Sequence, residues 1–151
     1  MNPNLLAFAT MLIITLAGAA TALQAPINAR LATAVGSAVN AALVSFAVGT
    51  VALIGLALVL QVKPDLAATR ALPWYAWVGG LCGVVFVIAA TWGVPRLGVA
   101  TTITLMVAGQ LFLGLVLDHF GAFGAPRQPI NLVRVLGVAM VIGGVLLVRR
   151  V

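Results

Sequence analysis

At 151 residues and 15.4 kDa the chain has the length of one domain, yet 64% of it is hydrophobic, 7% is charged and the mean hydropathy is +1.24. Soluble domains carry about a quarter charged residues, so this composition excludes a soluble fold and places the chain in a bilayer. Eight Lys/Arg against two acids give a net charge of +6, but they are scattered and form no basic stripe interleaved with aromatics, which excludes a nucleic-acid module.

Charged residues leave charge-free windows at 1–29, 31–62, 71–95, 97–117 and 135–148, of 29, 32, 25, 21 and 14 residues. A helix needs about 20 residues to cross the hydrocarbon, so four windows suffice outright. The fifth is extended by Arg134 and Arg149, whose aliphatic stems can carry their guanidinium groups to the headgroups. The expectation is an all-α membrane protein: one domain, 1–151, of five transmembrane helices at roughly 4–25, 33–60, 74–93, 98–118 and 133–149. No Lys or Arg precedes the first apolar run, so a retained helix is expected there rather than a removable signal peptide.

The first predicted helix carries a stripe of Thr10, Ala17, Thr21, Gln24 and Asn28 within a narrow sector at 100° per residue. Pro26 has no N–H for the carbonyl of Ala22, which suggests an unwound, polar helix end of the kind that forms transporter substrate sites. An ordinary interfacial helix end is the competing reading. The second helix repeats small residues at i+4 spacing, as Ala32, Gly36, Asn40 and as Ala41, Ser45, Gly49, so both of its sides are expected to touch protein. A loop with Pro64 spans Lys63–Arg70. The third helix has Ala76, Gly79, Gly80, Gly83 and Ala90 for close packing, with Trp74, Tyr75 and Trp77 as an interfacial belt and Trp92 near its other end. Gln110 sits mid-span on the fourth helix, between Gly109 and Gly114, where open space favours a cavity-lining role. Asp118 and His119 end that helix; Asp118 could hold a proton with His119, pair with an arginine such as Arg96 or Arg30, or be a solvated terminus. A second ordered loop, Phe120–Pro129, leads to the fifth helix with Gly137, Gly143 and Gly144.

Five crossings put the termini on opposite faces. Alternating the loops gives Lys63, Arg70, Arg127 and Arg134 to one face and Arg30, Arg96, Arg149 and Arg150 to the other. Four against four supplies no positive-inside bias, which points to copies inserted both ways up and paired as an antiparallel dimer. Catalysis is not expected. There is one His, the lone Cys82 lies in an apolar run, and no metal-ligand cluster or phosphate loop is present, so no cofactor and no metal are anticipated.

Several short runs occur in order: Gln24-Ala-Pro26-Ile-Asn28-Ala-Arg30-Leu31, Ser45-Phe46-Ala-Val-Gly49-Thr50, Trp77-Val-Gly79-Gly80, Pro95-Arg96-Leu97-Gly98, Gly109-Gln110-Leu111 and Asp118-His119-Phe120-Gly121. As a set this resembles the YdcZ-type half-length, five-helix proteins of the drug/metabolite transporter superfamily, from the first helix to the last. The resemblance implies a fold equal to one of the two inverted five-helix repeats of full-length members, completed as an antiparallel ten-helix dimer. It also implies dual-topology single proteins, paired genes of opposite orientation, or fused ten-helix chains.

The functional expectation is a small-solute secondary transporter of the bacterial inner membrane, acting by alternating access as a dual-topology homodimer whose partner is a second, inverted copy in the lipid. Gln24, Asn28, Asn40 and Gln110 would bind the solute, with Arg30 or Arg96 at the cavity mouth and Asp118 with His119 for proton coupling. With amides and hydroxyls but no acid inside the spans, a neutral polar or anionic solute is favoured over a lipophilic cation. An antiparallel ion channel and a subunit of a heteromeric transporter are the alternatives.

Overall fold

The computed structural model describes residues 2–63 and 65–149. The chain forms two compact units, Met1–Arg96 and Leu97–Val151. All regular structure among the described residues is helical.

The first unit opens with α1, Pro3–Val35, where Asn2 accepts a bond from the Asn4 N–H at 3.0 Å and a proline fills the first turn. α1 continues through Pro26, which corrects the expected end near residue 25 and the unwound segment beyond it. A proline removes one N–H while the bonds on either side survive, so an apolar helix in lipid continues past it. α1 ends at Gly36, whose φ of 85° is left-handed. Ser37 then caps α2, Ala38–Val59, by accepting the Asn40 N–H at 3.0 Å. Residues 33–35, assigned from sequence to the second helix, therefore belong to α1. At about 1.5 Å per residue α1 is about 50 Å long, more than the ~30 Å hydrocarbon requires.

The Gly36–Ser37 turn folds α1 and α2 into an antiparallel pair. Its buried face consists of small side chains: Ala25 and Ala29 on α1, Ala41 and Ala42 on α2. Lipid helices gain little by hiding apolar bulk from one another, so close approach at alanines is the available route to packing. Within the stretch expected as a loop, Asp65 caps a short helix, α3, Leu66–Arg70, accepting the N–H groups of Ala67 and Ala68 at 3.0 Å each. A 3-10 turn at Trp74–Trp77 leads into α4, Gly79–Leu97, which keeps Pro95 inside its last turns. The Phe46 ring covers Gly83, where a Cβ would stand 3.5 Å from it. Beside this contact an apolar cavity of about 180 Å³ is lined by Val39, Ala42, Leu43 and Phe46 of α2 and Val84 and Ile88 of α4.

In the second unit, α5, Val99–Phe120, starts after Gly98 and ends at Gly121, both with positive φ. A loop with a 3-10 turn at Ala122–Gly124 returns the chain to α6, Leu132–Arg149, which packs along α5. Among the described residues, Asn4–Val35, Ala38–Val59, Trp74–Leu97 and Val99–Phe120 are long and apolar enough to cross a membrane, while Leu132–Leu147 is a shorter apolar helix.

Candidate functional site

Gly114 on α5 and Gly137 on α6 have nothing within 4 Å of a would-be Cβ, so the two helices leave a groove between them instead of closing. It holds about 410 Å³ and is lined by Gln110, Leu111, Gly114, Leu115 and Asp118 on α5 and by Arg134, Gly137, Val138 and Val141 on α6. That volume falls in the range of small-molecule sites. The walls are chiefly aliphatic. Gln110 is exposed to the groove, with no hydrogen bond among the described residues. Its amide and Asp118 lie eight residues apart on one helix, about 12 Å along the axis.

The charged end is built by the loop. Arg134 Nη2 donates to Asp118 Oδ2 at 2.9 Å and to Gln128 Oε1 at 2.6 Å, and Nη1 donates to the Gln128 carbonyl at 3.0 Å. The two side chains of the ion pair are 28% and 39% exposed, so the pair sits at a wet boundary. The expected partners of Asp118, Arg96 or Arg30, are corrected to Arg134. The cause is the turn at Gly121, which returns the start of α6 to the end of α5. Asn131 fixes that start by accepting the Arg134 N–H at 2.9 Å.

The same loop satisfies the last carbonyls of α5. Gln128 N–H donates to the Asp118 carbonyl at 2.8 Å, and Arg127 Nε donates to that of His119 at 3.1 Å. His119 Nδ1 accepts the Ile130 N–H at 3.1 Å, so a neutral imidazole here carries its proton on Nε2. Asp118 and His119 thus both anchor the loop.

The other expected site residues lie in the first unit. Gln24 Nε2 reaches Ser45 Oγ at 3.4 Å, a long bond joining α1 to α2. Asn28 is 3% exposed, and its amide has no hydrogen bond among the described residues. Asn40, placed from sequence a third of the way into a span, stands in the first turn of α2, where Nδ2 donates to the Val35 carbonyl at 2.9 Å. It ties the two helix ends together. Arg96 Nη1 donates to the Trp92 carbonyl at 2.6 Å, and its guanidinium lies 4.0 Å from the centre of the Trp92 ring. Arg30 is exposed.

Sequence reasoning missed Arg134 and Gln128 as the partners that close the groove, and Thr91 as a buried polar group of α4. The Asn131-x-x-Arg134 spacing was a usable helix-start signal. Nothing in it announces a partner at Asp118.

Residues 9–147 match a family model described as "Putative inner membrane exporter, YdcZ". The chain is 38% identical over 77 residues to "Inner membrane protein YdcZ" of Escherichia coli (strain K12). This match takes in 51% of the chain and 52% of the relative, so the chain spans about half the length of the curated relative it matches. No solved structure matches the chain.

Proposed function

The chain belongs to the YdcZ family, and from that premise we propose that it is a small-solute secondary transporter working by alternating access as a dual-topology, antiparallel homodimer. It is a multi-pass protein of the bacterial inner membrane. The proposed dimer has ten crossings, with α6 as the fifth of each copy. Its Leu132–Leu147 core is short for a crossing. Two inverted copies then exchange conformations, so that an outward-open dimer becomes an inward-open one. The four-to-four division of Lys and Arg supports insertion in both orientations.

The observation that carries the reading is the α5–α6 groove, with the unpaired Gln110 amide within it and the Asp118–Arg134 ion pair, Arg134 also bonded to Gln128, at one end. A site with a free amide and internally neutralised charge suits a neutral polar solute, or an anion whose charge stays near the Arg134 edge. Asp118 and His119 are the proposed proton-handling groups, and Gln24, Asn28 and Asn40 the further polar groups of the route.

The experiment reconstitutes the purified protein and follows uptake of solutes picked from a thermal-shift screen, since a ligand that binds only the folded form stabilises it by mass action. Gln110→Ala is expected to fold and to lose most uptake. Normal transport by Gln110→Ala removes the groove from the proposal. Proton-dependent uptake that survives Asp118→Asn removes the coupling role. A C-terminal tag found on one face only in living cells removes the antiparallel dimer.

A further inference from the structure

His119 is the chain's single histidine, and it stands in the last turn of α5. Its ring meets that of Phe120 edge to face, with the centroids 4.9 Å apart. Nδ1 accepts the Ile130 N–H at 3.1 Å, a bond that links the end of α5 to the far end of the loop leading into α6. Only a neutral imidazole can accept it. An imidazolium carries N–H on both nitrogens, so turning the ring over cannot restore an acceptor. Charging His119 therefore does more than delete a bond, because it sets one donor against another.

A lost bond matters here because the loop is strained. Gly121, Phe123 and Gly124 have positive φ, of 61°, 57° and 82°. A bulky residue such as Phe123 keeps that conformation only where its surroundings enforce it. Bonds from the loop to the end of α5 supply the restraint: Ile130 N–H to the His119 ring, Arg127 Nε to the His119 carbonyl and Gln128 N–H to the Asp118 carbonyl. The charges around the ring divide between the two states. Arg127, bonded to the carbonyl of the same residue, repels an imidazolium. Asp118 beside it on α5, and the C-terminal end of that helix, attract one. Arg134 on α6 is engaged with Asp118 and Gln128. A charged ring gains by leaving the loop for the helix end, and a neutral ring gains by holding the loop.

We propose that the Gly121–Asn131 loop is a proton-released clasp: charging His119 breaks the bond to Ile130, lifts the loop from the end of α5 and frees Arg134 from Gln128 at the charged end of the groove. This rests on the groove as the solute site and deepens that reading by naming its regulation. Arg134 lines the groove, and without Gln128 it has donors to offer a solute while keeping Asp118.

The test follows amide hydrogen exchange at Ile130 and Gln128 in the full-length protein in lipid nanodiscs. Measurements are made at about pH 8 and about pH 5, the range over which histidine side chains take up a proton. Rates are divided by those of the unfolded chain at each pH. Protection at both amides should fall about tenfold at the lower pH, the equivalent of a hydrogen bond replaced by a donor clash. His119→Asn, which has an acceptor Oδ1 but gains no proton in this range, should lose the step, and Asp118→Asn should keep it. A step absent from the wild type, or one that survives in His119→Asn, overturns the clasp. A step lost in Asp118→Asn assigns it to the carboxylate and overturns the clasp equally. Loss of protection at Ile130 alone leaves a local bond and no clasp. Exchange needs no solute, so a full pH response without transport defeats the groove reading while the clasp stands, and transport without the response does the reverse.

Discussion

The two units treat polar groups in opposite ways. In the second unit the charged side chains Asp118 and Arg134 sit half-exposed at a helix end, bonded to each other, with Gln128 of the joining loop accepting two further bonds from Arg134. In the first unit the uncharged Asn28 and Thr91 are almost completely enclosed, and the Thr91 hydroxyl has no partner. The contrast follows from solvation. A charge needs water or a full set of partners, and the helix boundary offers both. A neutral amide or hydroxyl costs less to enclose, so it can be held inside.

The largest expected effect tests the ion-paired end. Arg134→Leu strands Asp118 and removes three side-chain bonds. Because the pair is partly exposed, the expected loss is about 2 kcal/mol, below the 3–5 kcal/mol typical of a broken buried pair. Unfolding of the purified protein in detergent measures it. Adding Asp118→Asn to Arg134→Leu should recover part of the loss, and a cycle with no recovery would mean that the Gln128 bonds carry it instead.

Next comes the turn that brings the pair together. Gly121 has φ 61°, and a Cβ there would stand 3.2 Å from the Ala125 carbonyl oxygen and 3.3 Å from Arg127 Cβ. Gly121→Ala should cost about 2 kcal/mol, combining left-handed strain with crowding. Gly36→Ala has the strain but open space around it, and should cost about 1 kcal/mol in the same assay. The reverse order would show that the loop yields more readily than the α1–α2 turn.

Smaller again is the capping pair of the first unit. Ser37→Ala should cost about 1 kcal/mol, the usual worth of a helix N-cap, and Asn40→Ala about 0.5–1 kcal/mol for its bond to the Val35 carbonyl. A loss of transport from Asn40→Ala without a loss of stability would return Asn40 to the solute route. The smallest effect on stability, within about 0.5 kcal/mol, is expected for Ala125→Lys on the exposed loop. Its consequence is topological, since a fifth positive charge on that face should skew a mixed population of orientations toward one, as read by terminal tags in cells. A population that stays mixed would show that orientation is not governed by this loop.

Much of the helical layout was legible in the sequence because charge and proline punctuate an otherwise apolar chain. The window 97–117 appears as α5, Val99–Phe120, and the last window as α6. Among the boundaries that were misread, two in the first helix pair failed for opposite reasons. Pro26 looks like a stop but deletes only one N–H, so α1 continues. Gly36-Ser37 looks like small-residue packing but is a left-handed cap followed by an N-cap, so the helix ends there. Of the candidate site, Gln110 with its open surroundings was readable from the flanking glycines. The Asp118 partner was not, since any of several arginines satisfies the chemistry and only the path of the Gly121–Asn131 loop selects Arg134.

What the sequence determined alone was the solvent: with 7% charged residues, the chain must pair its backbone within helices and can keep its few charges only at their ends. It also determined that the polar groups inside the spans would be uncharged. Which of them meet was decided by tertiary structure. The register of α1 on α2, of α4 on α2 and of α6 on α5 arises from contacts between residues far apart in the chain, and helical periodicity gives each side chain a face but no neighbour.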